Sequence, residues 1–397
     1  RQGMYLGCNQ SRQQLTLHGG IKANAVIYDM ESFLEQCVAR YLEVAPKGTV
    51  MKTALTPFLH DSGDHGPSRN PTKMKGTACV WCSYVTYDKG VGDVTSTTPD
   101  VKTTESAIGG EGPPTHDWIP DEEVRGQLAD AACSVLMKIL YAARMARFDL
   151  LRAVQGLAKS FTKWKKRHDD ELYRLVCYIH TTKGKKMIGW VADDIDDILP
   201  HLFSDSDFAG TEGTTKSTSG VHLCLRGPST CFPLAGISKR QGCVSKSTPE
   251  AEMVAGDTAI RSSGLPALDL WSVVFCRPVT LYFHEDNQAM IRVCETGRNP
   301  TMRHLLRTHR MSTDFLHEVT NRADVIMLYE KTDRQAADIF TKGFTNPDKW
   351  RHATELINVF PPSMLTAIRR AGEKKGGGPG FVVPEQVALQ SLSLIPI

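Results

Sequence analysis

The stretch HLFSDSDF, residues 201–208, predicts a β-strand that ends on acidic side chains. Two further short apolar stretches follow it, GVHLCLR (220–226) and TCFPLAGIS (230–238). The turn-forming residues 227–229 join these two. Short apolar runs separated by turn residues are typical of neighbouring strands. The sequence therefore predicts three consecutive strands over residues 201–238.

A helix is predicted after the third strand, because Ser247 and Thr248 precede Pro249 and Glu250. A hydroxyl cap, a proline in the first turn and an acid near the positive end of the helix dipole all favour a helix start. We expect this helix to run past Ile260.

The remaining elements complete an α/β unit in the order β-β-β-α-β-α-α-β-α. They are a strand at 279–283, a helix that runs through Cys294, a helix at 309–321, a strand at 324–330 and a final helix capped by Thr332 or Asp333. Helices upstream are predicted between Asp121 and Leu157 and around Leu172–Ile179, where apolar residues recur at helical spacing.

Four carboxylates lie at the joints of this pattern, namely Asp205, Glu252, Asp286 and Asp338. Each lies where a strand ends or a helix begins, so a mixed sheet could bring all four together. Carboxylates are the ligands that Mg²⁺ prefers, and two ions about 4 Å apart can activate water against a phosphodiester. Capping or surface roles remain the alternative for each acid taken singly.

Composition narrows the classes of protein. The chain has 397 residues and a formal charge of only +3, so any basic surface must be local. No apolar run approaches the roughly 18 residues that span a bilayer, so no membrane partner is expected. The N-terminus lacks both a signal-peptide pattern and an initiator methionine, and we expect a piece of a longer protein.

The 11 cysteines indicate a reducing compartment, since the odd count argues against a complete set of disulfides. Cys79 and Cys82 have the spacing of half a zinc site. No second pair follows at a suitable distance, so reduced thiols are the favoured interpretation.

A basic stretch with an aromatic residue, Lys163-Trp164-Lys165-Lys166, precedes one of the upstream helices. Lysines can contact phosphates while an indole stacks on a base, which predicts a nucleic-acid contact. The alternative is a solvated helix face with Trp164 anchored in a core.

Residues 198–346 resemble the ribonuclease H domain of copia-type LTR retrotransposon Pol polyproteins. The resemblance is carried by SDSDFAG (204–210), KSTSG (216–220), SKRQ (238–241), STPEAEMVA (247–255), DNQAMI (286–291) and ADIFTK (337–342). It implies a ribonuclease H-like, five-stranded mixed sheet flanked by helices. The family's catalytic and metal-binding acids then fall on Asp205, Glu252, Asp286 and Asp338, with Asp207 and Glu250 as the less favoured neighbours.

Weaker resemblance upstream is to the reverse transcriptase of the same polyprotein, as a partial and mostly helical end region. The implied division is 1–87 as this partial region, 88–118 as a low-complexity linker, 119–197 as a helical connection, 198–346 as the ribonuclease H-like domain and 347–397 as a largely disordered tail. We expect residues 195–346 to fold alone. WVADD (190–194) is interpreted as a solvent-facing acidic turn, and the Tyr-x-Asp-Asp hairpin of a polymerase is missing from the sequence, so no polymerase activity is expected.

The resemblance also implies the ligands. They are two Mg²⁺ ions, with Mn²⁺ as a substitute, an RNA–DNA hybrid and the rest of the Pol polyprotein, without a small-molecule cofactor. Donors that could contact the 2′-hydroxyls of the hybrid are Ser217, Thr218, Ser219, Asn287 and Gln288. Turn capping and ordinary hydrogen bonding are the alternative for these donors. His309 and His317 are candidates for a histidine that helps product release, or simply face solvent or the core.

The sequence therefore predicts a metal-dependent endonuclease that hydrolyses the RNA strand of RNA–DNA hybrids. The resemblance places it inside a cell, in cytoplasmic virus-like particles or in the nucleus. A decayed copy that only binds nucleic acid or extends the reverse transcriptase is the alternative from another class. Integrases and proofreading exonucleases order their acids differently, which disfavours both.

Overall fold

The computed structural model describes residues 2–17, 20–59, 76–78, 85–87, 124–208, 216–298, 302 and 304–363. Three sequence-based predictions lie outside the described residues. They are the Cys79–Cys82 pair, the 88–118 linker and the tail beyond residue 363.

The N-terminal part forms an antiparallel meander followed by a helix. Strands β1 (Gln2–Tyr5), β2 (Cys8–Thr16) and β3 (Lys22–Asp29) pair in sequence, and α1 (Glu31–Val44) follows. The buried face of α1 carries Leu34, Cys37, Val38 and Tyr41. Two short strands, β4 (Gly76–Ala78) and β5 (Val85–Tyr87), pair with each other.

Three helices and one strand connect this part to residues 198–346, the acidic region, which carries the four predicted acids. They are α2 (Ala132–Met145), α3 (Leu151–Ala158), α4 (Lys166–Thr182) and β6 (Lys186–Val191). The turn at 192–194 ends β6. Asp194 is exposed there, whereas Asp193 accepts a hydrogen bond from the Ser229 amide at 2.8 Å.

Five strands of the acidic region form a mixed sheet in the order β9-β8-β7-β10-β11. Their bounds are β7 (Leu199–Asp207), β8 (Thr218–Arg226), β9 (Cys231–Arg240), β10 (Leu281–Glu285) and β11 (Val325–Tyr329). Strand β8 runs antiparallel to both of its neighbours, whereas β7, β10 and β11 are parallel. The predicted mixed α/β class is confirmed.

The sheet is larger than predicted. Within the described residues it has ten strands, because β6 pairs with β9 and also carries β3, β2 and β1 on one side. A short strand, β12 (Val359–Phe360), pairs with β6 as well. The upstream region is therefore not only helical: its strands continue the same sheet.

One face of the sheet is covered by helices from the acidic region. The predicted helix start at Ser247 is confirmed: α5 (Thr248–Ala259) passes through a π-helical turn at 260–264 into α6 (Leu265–Val274). The other helices of this region are α7 (Gln288–Thr296), α8 (Leu305–Thr308) and α9 (Thr313–Thr320). Leu202 and Phe283 of the sheet belong to the core on this face.

The opposite face packs on the upstream helices. Phe203 and Cys224 share a core with α2, α3 and α4 and with the 3₁₀ turn at Ala336–Phe340. A further helix, α10 (Pro347–Leu356), adds the fully buried Trp350 to this core. Residues 347–363, which the sequence placed in a disordered tail, thus form a helix and a strand within the described structure.

A buried polar network joins the upstream helices to α10. Arg147 makes a bidentate ion pair with Asp149 at 2.8 Å, and both side chains are almost fully buried. The Tyr178 hydroxyl donates to Asp149 at 2.7 Å, and the Trp350 indole donates to that hydroxyl at 3.0 Å.

In the part of the chain that the structure covers, no helix combines the length and the apolar character that a membrane span requires.

Candidate metal centre

The candidate centre lies at the carboxyl ends of the parallel strands β7 and β10. Asp205 is near the end of β7 and pairs in register with Gly220 of β8. A Cβ atom at Gly220 would lie 2.7 Å from the carbonyl oxygen of Ala337 and 2.7 Å from the Cγ2 methyl of Thr341. The missing side chain at Gly220 therefore lets the 336–340 turn approach the sheet beside Asp205.

Two polar side chains fix the turn that carries Asp338. Gln335 is fully buried, and its amide nitrogen donates to the carbonyl oxygen of Ser204 at 3.0 Å. Thr341 donates a short hydrogen bond to the carboxylate of Asp205. The sequence predicted an α-helix here. The structure instead has the short 3₁₀ turns 332–334 and 336–340, because contacts with β7 and β8 hold the segment.

The end of β10 contributes two adjacent acids, Glu285 and Asp286. Glu285 is fully buried and accepts hydrogen bonds from the Ser204 hydroxyl at 2.8 Å and from the Asn287 amide at 3.1 Å. Asp286 is half-buried and accepts a hydrogen bond from the Thr332 hydroxyl at 2.9 Å. Asp286 was predicted from the sequence, whereas Glu285 was not.

Glu252 reaches the site from the first turns of α5, which packs on β7 and β8. Its side chain is buried, and Oε2 has no hydrogen-bond partner among the described residues. A buried carboxylate oxygen without a donor is costly, so this atom is a good candidate for a cation ligand.

The acids form two overlapping groups. Ligand oxygens of Asp205, Asp286 and Asp338 lie within 4.8 Å of one another, and so do those of Glu252, Glu285 and Asp286. Asp286 belongs to both groups. All four predicted acids are therefore brought together, and these clusters could hold metal ions. Because the donors are all carboxylate oxygens, the centre suits hard divalent cations.

Burial and mutual repulsion oppose the ionisation of Asp205, Glu252 and Glu285. Burial, then the charges of Asp338 and Asp286, raise the pKa of Asp205 well above its usual range, although Lys342 and Thr341 oppose this. Burial and the neighbouring carboxylates also raise the pKa values of Glu252 and Glu285 well above the usual range. Bound cations would relieve that repulsion.

A lysine lies inside the first group of acids. The ammonium nitrogen of Lys342 is 2.7 Å from Oδ1 of Asp338 and 3.5 Å from Oδ1 of Asp205. Burial lowers the pKa of Lys342, but the two carboxylates outweigh this and raise it above the usual range. Lys342 closes the ADIFTK stretch, so its position in a motif was the one signal available in the sequence.

The less favoured acid of each close pair has another partner. Oδ2 of Asp207 lies 3.6 Å from a guanidinium nitrogen of Arg152. Oε1 of Glu250 lies 3.1 Å from Nε2 of His304 and 3.2 Å from Nε2 of His309. Neither acid belongs to the two groups, so the geometry favours Asp205 and Glu252.

The predicted 2′-hydroxyl donors divide into two sets. Ser217, Thr218 and Ser219 are almost fully buried, and Ser219 accepts a hydrogen bond from Gln241 at 3.1 Å. Their burial matches the alternative in which these side chains make ordinary hydrogen bonds within the fold. By contrast, Asn287 caps α7 by accepting from the Met290 amide, and Gln288 beside it is exposed next to Asp286.

The basic stretch before α4 does not expose its aromatic ring to solvent. Trp164 is only 4% exposed, and its indole nitrogen donates to Asp169 at 2.7 Å. A buried indole cannot stack on a base. The burial therefore matches the alternative in which Trp164 is an anchor in the core. Lys163 and Lys166 are exposed, and Lys165 is half-buried.

The two candidate histidines lie outside the acid groups. His317 bonds through Nδ1 to the carbonyl oxygen of Cys294 at 2.6 Å, near the C-terminal end of α7, whereas Asp286 precedes the first turn of that helix. His309 is held against Glu250 at the start of α5. His317 therefore has a hydrogen-bond partner within the fold, whereas Nε2 of His309 is buried beside Glu250 without a hydrogen bond to any described residue.

No protein-family model matches the sequence, and no curated protein matches it significantly. Among solved structures, the chain is similar to LC11-RNase H1, isolated from compost by a metagenomic approach. The two share 13% sequence identity over 36% of this chain and 92% of that chain, with a TM-score of 0.26. Similarity at this level carries no functional weight, so the geometry of the acids must support any function.

Proposed function

We propose that this chain is a metal-dependent endonuclease that hydrolyses the RNA strand of RNA–DNA hybrids, as part of a retrotransposon Pol polyprotein. One observation carries the proposal. Asp205 lies on β7, Glu252 on α5, Asp286 directly after β10 and Asp338 in the 336–340 turn, and their oxygens converge around Asp286.

The two overlapping groups define how the residues would act. Asp205 and Asp338 would hold one ion and Glu252 and Glu285 the other, while Asp286 contributes to both groups. Bound Mg²⁺ would supply an activated water and neutralise charge on the leaving oxygen. Buried surroundings and fixed hydrogen bonds to Asp205, Glu285 and Asp286 would hold the carboxylates in place.

The substrate class follows from the family resemblance and from what borders the acids. The motif series in residues 204–342 resembles that of ribonuclease H domains, and Asn287 and Gln288 directly follow the acid that both groups share. An amide at this place could contact the minor groove of a hybrid, where the 2′-hydroxyls distinguish RNA from DNA.

Replacement of Asp286 by asparagine tests the proposal. Asparagine can still accept the hydrogen bond from Thr332, but it removes the charge shared by both groups. We expect Asp286→Asn to lower Mg²⁺-dependent cleavage of a labelled RNA–DNA hybrid by at least about a thousandfold, since metal positioning is lost. Circular dichroism should show an unchanged fold.

A matched control is Asp324→Asn, which removes an exposed acid paired with Arg322 at 2.6 Å. This variant should cleave like the wild type. Unchanged turnover in Asp286→Asn would refute the assignment of these acids as the metal site. Cleavage of double-stranded DNA at the same rate as the hybrid would refute RNA–DNA hybrids as the specific substrate.

The second candidate function is binding without catalysis, as a structural extension of a reverse transcriptase. The contact of Lys342 with two of the acids favours this candidate, because an ammonium group occupies carboxylates that an ion would need. A wild-type chain that binds the hybrid equally well with Mg²⁺ and with EDTA, and cuts it in neither, would establish it.

A further inference from the structure

Two buried acids and a lysine form a compact cluster on one face of the sheet. Asp205 is 2% exposed and Asp338 is 8% exposed, and both lie within reach of the same ammonium group. Ligand oxygens of these two acids lie within 4.8 Å of each other. Ionised, buried carboxylates at this distance repel one another strongly unless a cation lies between them. Lys342 supplies that cation within the chain itself.

The backbone of this cluster is fixed, whereas the lysine side chain can move. The carbonyl oxygen of Thr341 accepts a hydrogen bond from Arg152 at 2.6 Å, and the Thr341 hydroxyl bonds to Asp205. The side chain of Lys342 is 37% exposed and has a flexible four-carbon stem. It can therefore leave the acids without any change of the fold.

From this geometry we propose that Lys342 is a tethered counterion, which holds Asp205 and Asp338 together before a divalent cation binds and leaves them when the ion arrives. The inference rests on the proposed function in one respect, namely that these acids bind divalent cations. An ammonium 2.7 Å from Oδ1 of Asp338 uses the lone pairs that an ion would need and repels the ion. Lys342 is thus a positioning residue that sets the affinity of the centre.

Titration of the full-length chain with Mn²⁺, followed by the electron paramagnetic resonance signal of free Mn²⁺, tests the inference. Lys342→Met removes the charge and keeps the stem, and we expect it to bind the tightest ion at least about tenfold more tightly than the wild type. Lys342→Arg keeps the charge and should stay close to wild type. Lys331→Met, which changes an exposed lysine elsewhere, is the matched control.

Thermal unfolding in EDTA gives an independent readout. Lys342→Met should melt at a lower temperature than the wild type, because the acids lose their partner, and Mn²⁺ should raise its melting temperature more. Equal Mn²⁺ affinity in Lys342→Met, Lys342→Arg and the wild type, with equal melting temperatures in EDTA, would overturn the inference. It would leave the nuclease proposal intact.

A measurement on the wild type covers the case in which Lys342→Met does not fold. Brief acetylation followed by mass spectrometry should modify Lys342 several-fold more with Mn²⁺ than with EDTA, since release exposes the amine. Equal modification in both conditions would contradict release. A wild-type chain that binds no Mn²⁺ at all would instead overturn the proposed function, and this inference with it.

Discussion

At the scale of single residues, the fold shifts the protonation equilibrium of the buried carboxyl of Glu285. Burial raises its pKa, and so do the charges of Asp286 and Asp205, although two hydrogen bonds oppose them. A carboxyl whose pKa is higher in the folded chain stabilises the fold below its unfolded pKa. That stability is lost as the pH rises through the folded pKa.

We therefore expect Glu285→Gln to stabilise the metal-free chain at a pH of about 8 by about 1 kcal/mol, since glutamine resembles the protonated acid. Its amide can still bond to Ser204 and accept from Asn287. Urea unfolding in EDTA at several pH values measures this. The wild type should lose stability relative to the variant as the pH rises, and a constant difference would contradict the assigned pKa direction.

The same residues show what the sequence could and could not predict about the site. Asp205, Glu252, Asp286 and Asp338 were identified because strand ends, a helix start and motif order are local patterns. The contribution of Glu285 depends on which face of β10 meets α5, which is a tertiary fact. The burial of Trp164 likewise depends on its place in a core that distant elements share.

At the scale of elements, one buried ion pair joins three parts of the fold. They are the segment that links α2 to α3, helix α4, and helix α10. Asp149 accepts from both Arg147 and Tyr178, and burial alone would raise its pKa, but the Arg147 charge holds that pKa below the usual range. Removal of one partner of a buried pair leaves an uncompensated charge. The network is therefore a point at which these elements depend on one another.

We expect Asp149→Asn to lower the free energy of unfolding by about 3–5 kcal/mol, because Arg147 would stay buried without its counterion. Denaturant titration measures this. Asp130→Asn is the control, since Asp130 pairs with Arg125 at 2.6 Å on the surface and should matter by less than about 1 kcal/mol. Equal losses in the two variants would refute the structural role of the network.

Local pattern also explains how far the elements were predicted. The strands β7 to β11 and the start of α5 carry their own apolar runs and caps, so they appeared in the sequence. The 3₁₀ turn at 336–340 and strand β12 are short, and partners elsewhere in the chain determine them. Their form therefore could not be derived from the segment alone.

At the scale of the whole molecule, the acidic region does not stand apart. Strand β9 pairs with β6, and Phe203, Cys224 and Phe340 share one core with α2, α3, α4 and α10. A fragment of residues 195–346 would expose both that core and the edge of β9. Exposed strand edges and apolar surface promote aggregation.

We therefore replace the expectation that residues 195–346 fold alone. This fragment should bind 8-anilinonaphthalene-1-sulfonate, lack near-ultraviolet circular dichroism and aggregate, whereas residues 1–363, which keep α1 and the partner strand of β6, should melt cooperatively. The longer fragment keeps β6, β12 and the helices that cover the core. A sharp melting transition of the short fragment would show that the upstream helices are dispensable.

The position of β6 within the sheet also constrains when the chain can fold. Residues 22–29 pair with 186–191, and 186–191 pair in turn with 359–360. Contacts between residues so far apart in sequence slow folding, because bringing the two segments together costs the conformational entropy of the long intervening loop. On a ribosome, the first three strands can pair with one another early, but the edge of β3 must wait until residues 186–191 have been synthesised. During that time this edge is open to chaperones or to other nascent chains.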